Sequence, residues 1–229
     1  NLIVLELEEL KAKGQLCFVV LLILMLKITQ EMYLGDRSQK KICIIDEAWD
    51  LIGKGNSGSF IETGYRRARK YGGAFLTATQ STDDYYMSNN TQACWNNADI
   101  KFLLRQGSEP KNVKFDEYTS NLMKTVSTET GVFSEVLIII GSQTCGVCRL
   151  IVDPFSAFIY SSNANDVQLI NYIKQFEGLP VEQAVRKAIK LSQQTMKQLG
   201  VSRDNVSNLL IQQIKKNGYD SLNKFVEVN

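Results

Sequence analysis

The sequence predicts an α/β fold with a mostly parallel sheet, flanking helices, an antiparallel hairpin at the sheet edge and a C-terminal helical tail. Up to residue 106, short apolar runs alternate with longer helix-like segments, which is typical of parallel strands joined by helices. After Gln106 three strand-like runs follow one another closely, which favours hairpin pairing. From Asn165 onward the pattern is helical. We therefore expect one α/β domain over residues 1–161 and a helical tail over residues 162–229.

The first part of the chain is predicted to alternate strands and helices. Strands are expected at residues 3–7, 41–45, 74–79 and 100–105, and helices at residues 10–33, 58–71 and, in a shorter stretch, 82–96. The apolar run at residues 16–26 is shorter than the ~20 residues of a membrane span, so it predicts a helix buried in a core. Residues 53–58 are rich in glycine and predict a flexible loop.

The second part is predicted to contain a helix, three strands and the tail. A polar helix is expected over residues 110–125 and strands at 132–140, 147–152 and 155–160, with a turn after Gly141. In the tail, Pro180 suits the start of a helix and Gly200 its end. Apolar residues at helical spacing are expected to pack onto the sheet or an adjacent subunit; they are Val181, Val185, Ala188 and Ile189.

Composition excludes several classes of chemistry. The 229 residues contain no histidine, so a Ser/His/Asp or Cys/His triad cannot form within the chain. Five cysteines are scattered and odd in number, which indicates a reducing compartment rather than a disulfide framework. Cys145 and Cys148 form a CxxC in a strand-like stretch, which favours alternating strand positions over a redox or metal site. The formal charge of +2 argues neither for nor against nucleic acid.

The run Ile42-Cys43-Ile44-Ile45 followed by Asp46 and Glu47 is the pattern of a Walker B strand in a P-loop nucleotide hydrolase. The apolar residues would pack on both faces of a buried parallel strand. Asp46 would hold Mg²⁺ through its water shell, and Glu47 would orient and deprotonate the water that attacks the γ-phosphate of ATP. The alternative is a strand followed by an acidic helix start.

A second polar segment follows the next strand. Thr79, Gln80 and Ser81 end the run LTATQS and would share an edge with Asp46 if the two strands are neighbours. A glutamine amide there would hold the attacking water or sense the γ-phosphate. The alternative is a strand that ends in polar turn residues.

Residues 65–71 contain four cations at the expected end of a helix: Arg66, Arg67, Arg69 and Lys70. Cations at this position complement the helix dipole. An arginine there would alternatively reach a neighbouring subunit and neutralise charge on its γ-phosphate.

The phosphate-binding loop that should accompany a Walker B strand is missing. No GxxxxGK[ST] occurs in the 229 residues. We expect this loop upstream of residue 1, and we expect the 229 residues alone to bind nucleotide poorly.

The segments IIDEAW, RRARKYGG, TATQS and LLRQ, followed by TGVFSEVL, RLIVDPF and GLPVEQAV, together resemble the TraC-like ATPases of conjugative type IV secretion systems, within the FtsK/HerA-like group of P-loop motors. The resemblance covers almost the whole chain. It implies a RecA-like domain lacking its Walker A segment, with Asp46 and Glu47 as the Walker B pair and Gln80 as the glutamine motif. It places the trans-acting arginine in the segment holding Arg69, our first choice, and Arg66, our second.

The same resemblance implies a function and partners. It implies an ATPase using ATP and Mg²⁺ that powers pilus assembly and substrate transfer, acting as a homo-oligomer, with a hexamer expected. It also implies other secretion components as partners, at the cytoplasmic side of the bacterial inner membrane. Two alternatives stay open, a DNA-translocating coupling protein or FtsK-like motor, and a non-catalytic scaffold for secretion partners. A tail helix that covers the nucleotide edge would regulate turnover.

Overall fold

The structure is a computed structural model that describes residues 2–7, 9, 12–47, 55–107, 110–141 and 144–225. It divides into two compact units, the first containing residues 1–124 and 138–146 and the second residues 125–137 and 147–229. These units meet at three points in the chain, after residues 124, 137 and 146, and the division into domains after residue 161 stays a prediction.

The first unit begins with a helix and a pair of strands joined through a second helix. Its elements, in chain order, are α1 (Gly14–Thr29) with a π-helical continuation (Gln30–Leu34), β1 (Lys41–Ile45), α2 (Gly55–Arg67), a 3-10 turn (Ala68–Tyr71), β2 (Gly73–Thr77), a 3-10 helix (Thr82–Tyr86), α3 (Asn89–Asn97), β3 (Ile100–Leu104) and α4 (Glu117–Thr125). The expected order of helices and strands from residue 14 to residue 104 is confirmed. Residues 55–58, expected in a loop, begin α2 instead.

The remaining elements form a hairpin and a group of helices. They are β4 (Thr128–Glu129), β5 (Phe133–Ile140), β6 (Thr144–Leu150), α5 (Pro154–Ile159), α6 (Ala164–Glu177), α7 (Val181–Leu199), α8 (Arg203–Asn217) and a last 3-10 helix (Tyr219–Phe225). The predicted hairpin is confirmed, since β6 pairs with β5 after a connection of three residues. Gly141, the first residue of that connection, has a φ of +59°, a conformation that glycine adopts without strain.

The described strands form two sheets rather than the expected single one. One contains β1 and β2 in parallel, and the other contains β3, β5 and β4 in that order with β6 on β5. The expected strand at residues 3–7 is also absent, since residues 2–7 have no strand pairing. A mixed α/β fold is thus confirmed. The RecA-like arrangement stays a prediction.

Two predictions of burial are wrong. None of residues 15–29 of the apolar helix α1 is buried, and Leu26 is 71% exposed, so α1 is not a core helix. Among the described residues, the segment Gln15–Leu34 is long and apolar enough to cross a membrane by length and composition. Strand β1 is packed on one face only, because Ile42 and Ile44 are 61% and 64% exposed.

The run at residues 155–160 is helical, although its aromatic and β-branched residues predict a strand. Asp153 accepts hydrogen bonds from the amides of Phe155 and Ser156 at 2.9 and 3.1 Å, and Pro154 occupies the first turn. An N-cap followed by proline satisfies free amides and pre-sets φ for a helix. These start signals outweigh strand propensity, which depends on neighbouring strands.

The core of the second unit lies among the tail helices themselves. Val185 and Ala188 are fully buried in it, whereas Val181 is 43% exposed and Ile189 is only partly buried. The expectation that these residues pack onto the sheet or another subunit is therefore wrong for Val185 and Ala188. The buried apolar side chains are Phe158, Leu169, Ile170, Ile173, Ala184, Val185, Ala188, Leu191, Val206, Leu210, Ile211, Ile214 and Leu222. Gly178 and Gly200 end their helices with φ near +65°, as predicted for Gly200.

Candidate active site

The parallel pairing of β1 and β2 brings the predicted site segments to one edge. Ile45 lies opposite Thr77 in the register, and the amide of Ala78 donates to the Ile45 carbonyl at 3.0 Å. Asp46 and Glu47 therefore leave β1 where residues 78–81 leave β2. We call these two segments the carboxyl edge. The expectation that Asp46, Glu47 and Gln80 share one edge is confirmed. Their roles in nucleotide hydrolysis stay predictions.

The two acidic residues form a tight local turn. The Glu47 amide donates to Asp46 Oδ1 at 2.9 Å, and Glu47 has a φ of +50°. This left-handed conformation costs a residue with a side chain ~1–2 kcal/mol. Strained residues of this kind concentrate at functional sites. Both side chains are exposed at the edge, so they are accessible to a ligand in solvent.

The donor set suits Mg²⁺ held together with a nucleotide. Among the described residues there is no group of three His, Cys, Asp or Glu side chains able to hold a metal by itself. Mg²⁺ in phosphoryl-transfer sites is usually bound by one or two carboxylates while phosphates and water supply the remaining ligands. The exposed carboxylate of Asp46 fits that requirement.

The residues on either side of Gln80 are fixed by hydrogen bonds. The Thr79 hydroxyl donates to the Ser81 carbonyl at 2.9 Å. Ser81 caps the 3-10 helix reciprocally, since its Oγ accepts from the Asp83 amide at 3.1 Å and its amide donates to Asp84 Oδ2 at 3.2 Å. The Gln80 side chain is exposed, so an anchored loop presents a solvent-accessible amide.

Sequence reasoning missed a group of hydroxyls directly behind this edge. Tyr65 of α2 and Tyr85 of the 3-10 helix converge on Thr77, the last residue of β2, at 2.8 and 2.7 Å from its Oγ1. Tyr65 Oη also accepts from the Thr77 amide at 3.1 Å, and Tyr85 Oη donates to the Thr77 carbonyl at 3.1 Å. No local signal marks two tyrosines 20 positions apart, because only the fold brings them together.

Partial burial makes these tyrosines harder to ionise. It raises the pKa of Tyr65 to about 12 and also raises the pKa of Tyr85. Ile61 and Cys94, both buried, form the adjacent apolar cluster, and Ile45 packs against it together with the two tyrosines. Burial likewise raises the pKa of the Cys94 thiol to about 11, which makes it a weak nucleophile at neutral pH.

Arg69, the first of the predicted arginines, lies at the other end of the strand pair. Arg69 lines a cavity of about 400 Å³ together with residues at the amino ends of β1 and β2. Five-residue strands separate the two ends by about 16 Å. Arg66, in the last turn of α2, pairs with Glu62 at 2.9 Å, and Arg69 lies 3.9 Å from Asp99. The fold therefore does not bring Arg69 to Glu47 within one chain.

The CxxC has the strand position that was expected. Cys145 and Cys148 lie on β6, and Cys145 Sγ is 3.7 Å from the Thr119 hydroxyl. Both thiols are free.

The parallel strand pair, the Asp-Glu turn and the polar loop beside it form a mixed α/β arrangement that is consistent with a P-loop domain. The TraG P-loop domain model matches residues 1–192, and the chain belongs to this family. It is 32% identical over 198 residues to the protein TraC of Escherichia coli (strain K12), a match that covers 81% of this chain and 22% of TraC. The predicted resemblance to TraC-like conjugative P-loop ATPases is thus confirmed. No solved structure matches the chain.

Proposed function

We propose that the protein is an ATP-hydrolysing motor subunit of a bacterial type IV secretion or conjugation apparatus that powers pilus assembly and substrate transfer. The observation that supports this most is the shared edge of Asp46, Glu47 and Gln80, created by the parallel register of β1 and β2. Membership of the TraG P-loop family and similarity to TraC support the nucleotide chemistry and the link to conjugation.

The residues of the edge divide the chemistry among them. Asp46 would hold Mg²⁺ through its water shell, Glu47 would take the proton of the attacking water, and Gln80 would orient that water. Mg²⁺, when bound with ATP, neutralises charge on the phosphates. The left-handed backbone at Glu47 turns the chain directly after Asp46, which lets neighbouring carboxylates serve different tasks.

The separation of Arg69 from Glu47 favours an assembly in which subunits share sites. An arginine at the amino ends of the strands can act on a nucleotide only if that nucleotide is held by another subunit. We therefore propose a homo-oligomer, with a hexamer as the expected form, in contact with other secretion components at the cytoplasmic face of the inner membrane. Arg69 is the first candidate for the trans-acting group, and Arg66, already paired with Glu62, is the second.

ATP hydrolysis by the full-length protein tests this proposal. We expect Glu47→Gln to lower kcat by at least about a hundredfold, because it removes the base but keeps the side-chain shape, while ATP binding is retained. Glu182→Gln in α7, where the side chain is 66% exposed, is the matched control for a carboxylate outside the edge. Equal turnover in wild type and Glu47→Gln would overturn the proposal. Strong stimulation by DNA would favour a DNA translocase instead.

A further inference from the structure

The last residue of β2 has all three of its polar groups held by two tyrosine hydroxyls. The Thr77 amide, carbonyl and Oγ1 each bond to Tyr65 Oη or Tyr85 Oη, at distances of 2.7 to 3.1 Å. The amide and carbonyl of one strand residue point to the same side, and here that side is the one away from β1. The hydroxyls therefore occupy the positions that a further strand would use.

Counting the hydroxyl protons determines which atom donates in each of these hydrogen bonds. Tyr85 has one hydroxyl proton and donates it to the Thr77 carbonyl, so Thr77 Oγ1 must donate to Tyr85 Oη. Thr77 Oγ1 then has no second proton, so it accepts from Tyr65 Oη, which in turn accepts from the Thr77 amide. These hydrogen bonds form a part-buried ring that closes through Thr77. Every donor in this ring is used once, and a fully satisfied network of this kind is rigid.

The ring lies at the end of β2, on the side away from β1, where residues 78–81 enter the carboxyl edge. Thr77 is opposite Ile45, the residue before Asp46, and three positions before Gln80. Ile45 packs on the same apolar cluster as Tyr65 and Tyr85. The ring therefore joins α2 and the 3-10 helix to the point at which both site segments leave the sheet.

We propose that Thr77, Tyr65 and Tyr85 are positioning residues, which fix the backbone of residues 78–81 so that Gln80 faces the water activated by Glu47. The inference rests on the proposed hydrolysis at this edge. It adds residues that touch neither nucleotide nor water. Losing one hydroxyl would leave Gln80 chemically intact but displaced, and small displacements of a positioning group lower kcat steeply.

The test is steady-state ATP hydrolysis by the full-length protein with Thr77→Val, Thr77→Ser and the matched control Tyr118→Phe, whose ring is 64% exposed. We expect Thr77→Val to lower kcat about tenfold with KM changed less than about twofold, Thr77→Ser to retain most activity, and the control to match wild type. In a Gln80→Ala background, Thr77→Val should lower kcat less than about twofold further, because its effect acts through Gln80.

The outcomes separate this inference from the function on which it rests. Unchanged turnover in Glu47→Gln overturns the proposed function itself. A Glu47→Gln protein that is inactive, together with wild-type kcat in Thr77→Val, overturns only the positioning role. An equal loss with and without Gln80 also overturns it, because a general structural effect would not depend on Gln80. If Thr77→Val does not fold, Tyr85→Phe replaces it under the same criteria. This substitution removes one hydroxyl and keeps the packing of the aromatic side chain.

Discussion

Replacing Asp166 with asparagine disrupts the ion pair at the centre of the second unit. Asp166 is 3% exposed, and its two carboxylate oxygens accept from the Arg203 guanidinium at 3.0 and 2.9 Å. The hydroxyls of Ser161 and Ser207 donate to the same carboxylate. Removing one partner of a buried ion pair costs ~3–5 kcal/mol, because the other charge stays buried without compensation. We expect about 3 kcal/mol, since the asparagine carbonyl still accepts a hydrogen bond.

Urea unfolding of the chain, followed by circular dichroism, measures this loss. With a slope of ~2 kcal/mol per molar urea, the transition of the second unit should move down by about 1.5 M. Glu182→Gln is the matched control, because it makes the same chemical change opposite Arg186 in a pair that is 66% exposed on both sides. That control should cost less than about 1 kcal/mol. A loss for Asp166→Asn no larger than the control's would refute the reasoning.

The pH dependence of stability provides a second measurement of the same ion pair. Burial acts to raise the pKa of Asp166, but hydrogen bonds from Arg203, Ser161 and Ser207 outweigh it and leave this pKa lowered. A carboxyl group with a lower pKa in the folded state stabilises the protein above its unfolded pKa and loses that contribution as pH falls through the folded pKa. The free energy of unfolding should therefore fall below about pH 4, and less so in Asp166→Asn.

Two further predictions concern packing and alkaline stability. Leu210 is fully buried in the second unit, so Leu210→Ala should lower the free energy of unfolding by ~2–5 kcal/mol in the same urea assay, and a loss under about 1 kcal/mol would contradict the close packing. Burial raises the pKa of Tyr65 from 10.0 to about 12, so its contribution to stability is present below pH 10 and is lost as pH rises through about 12. Tyr65→Phe should flatten that alkaline decline, and an unchanged profile would show that Tyr65 ionises freely in the folded protein.

The carboxyl edge was predictable from the sequence because its signals are local. One apolar run is followed by Asp46 and Glu47, and a second run ends before Gln80. Each segment therefore predicts its polar side chains at the end of a strand without reference to the rest of the chain. That the two segments meet required only that β1 and β2 be neighbours in parallel, which a strand-helix-strand unit favours. The pairing of Ile45 with Thr77 confirms it.

The errors in the fold arose where local preference and tertiary surroundings differ. The apolar residues of α1 predict a core helix, yet Leu26 is largely exposed. An apolar side chain is buried only where the fold places another surface against it. The same holds for Ile42 and Ile44 on the open face of β1. At residues 155–160 the strand propensity of Phe155 and Ile159 was overruled by the Asp153 cap and Pro154.

The sequence by itself determined the order of helices and strands from residue 14 to residue 104, the absence of histidine chemistry, the identity of the acidic and amide side chains, and membership of the P-loop family. Only the tertiary structure decided that Tyr65 and Tyr85 close a ring of hydrogen bonds on Thr77, and that Arg69 lies at the opposite end of the strands from Glu47. The physical reason is the distance along the chain over which each kind of interaction acts. Propensity, capping and motif chemistry act over a few residues, whereas contacts between distant residues and the direction of a side chain depend on where the whole chain places its elements.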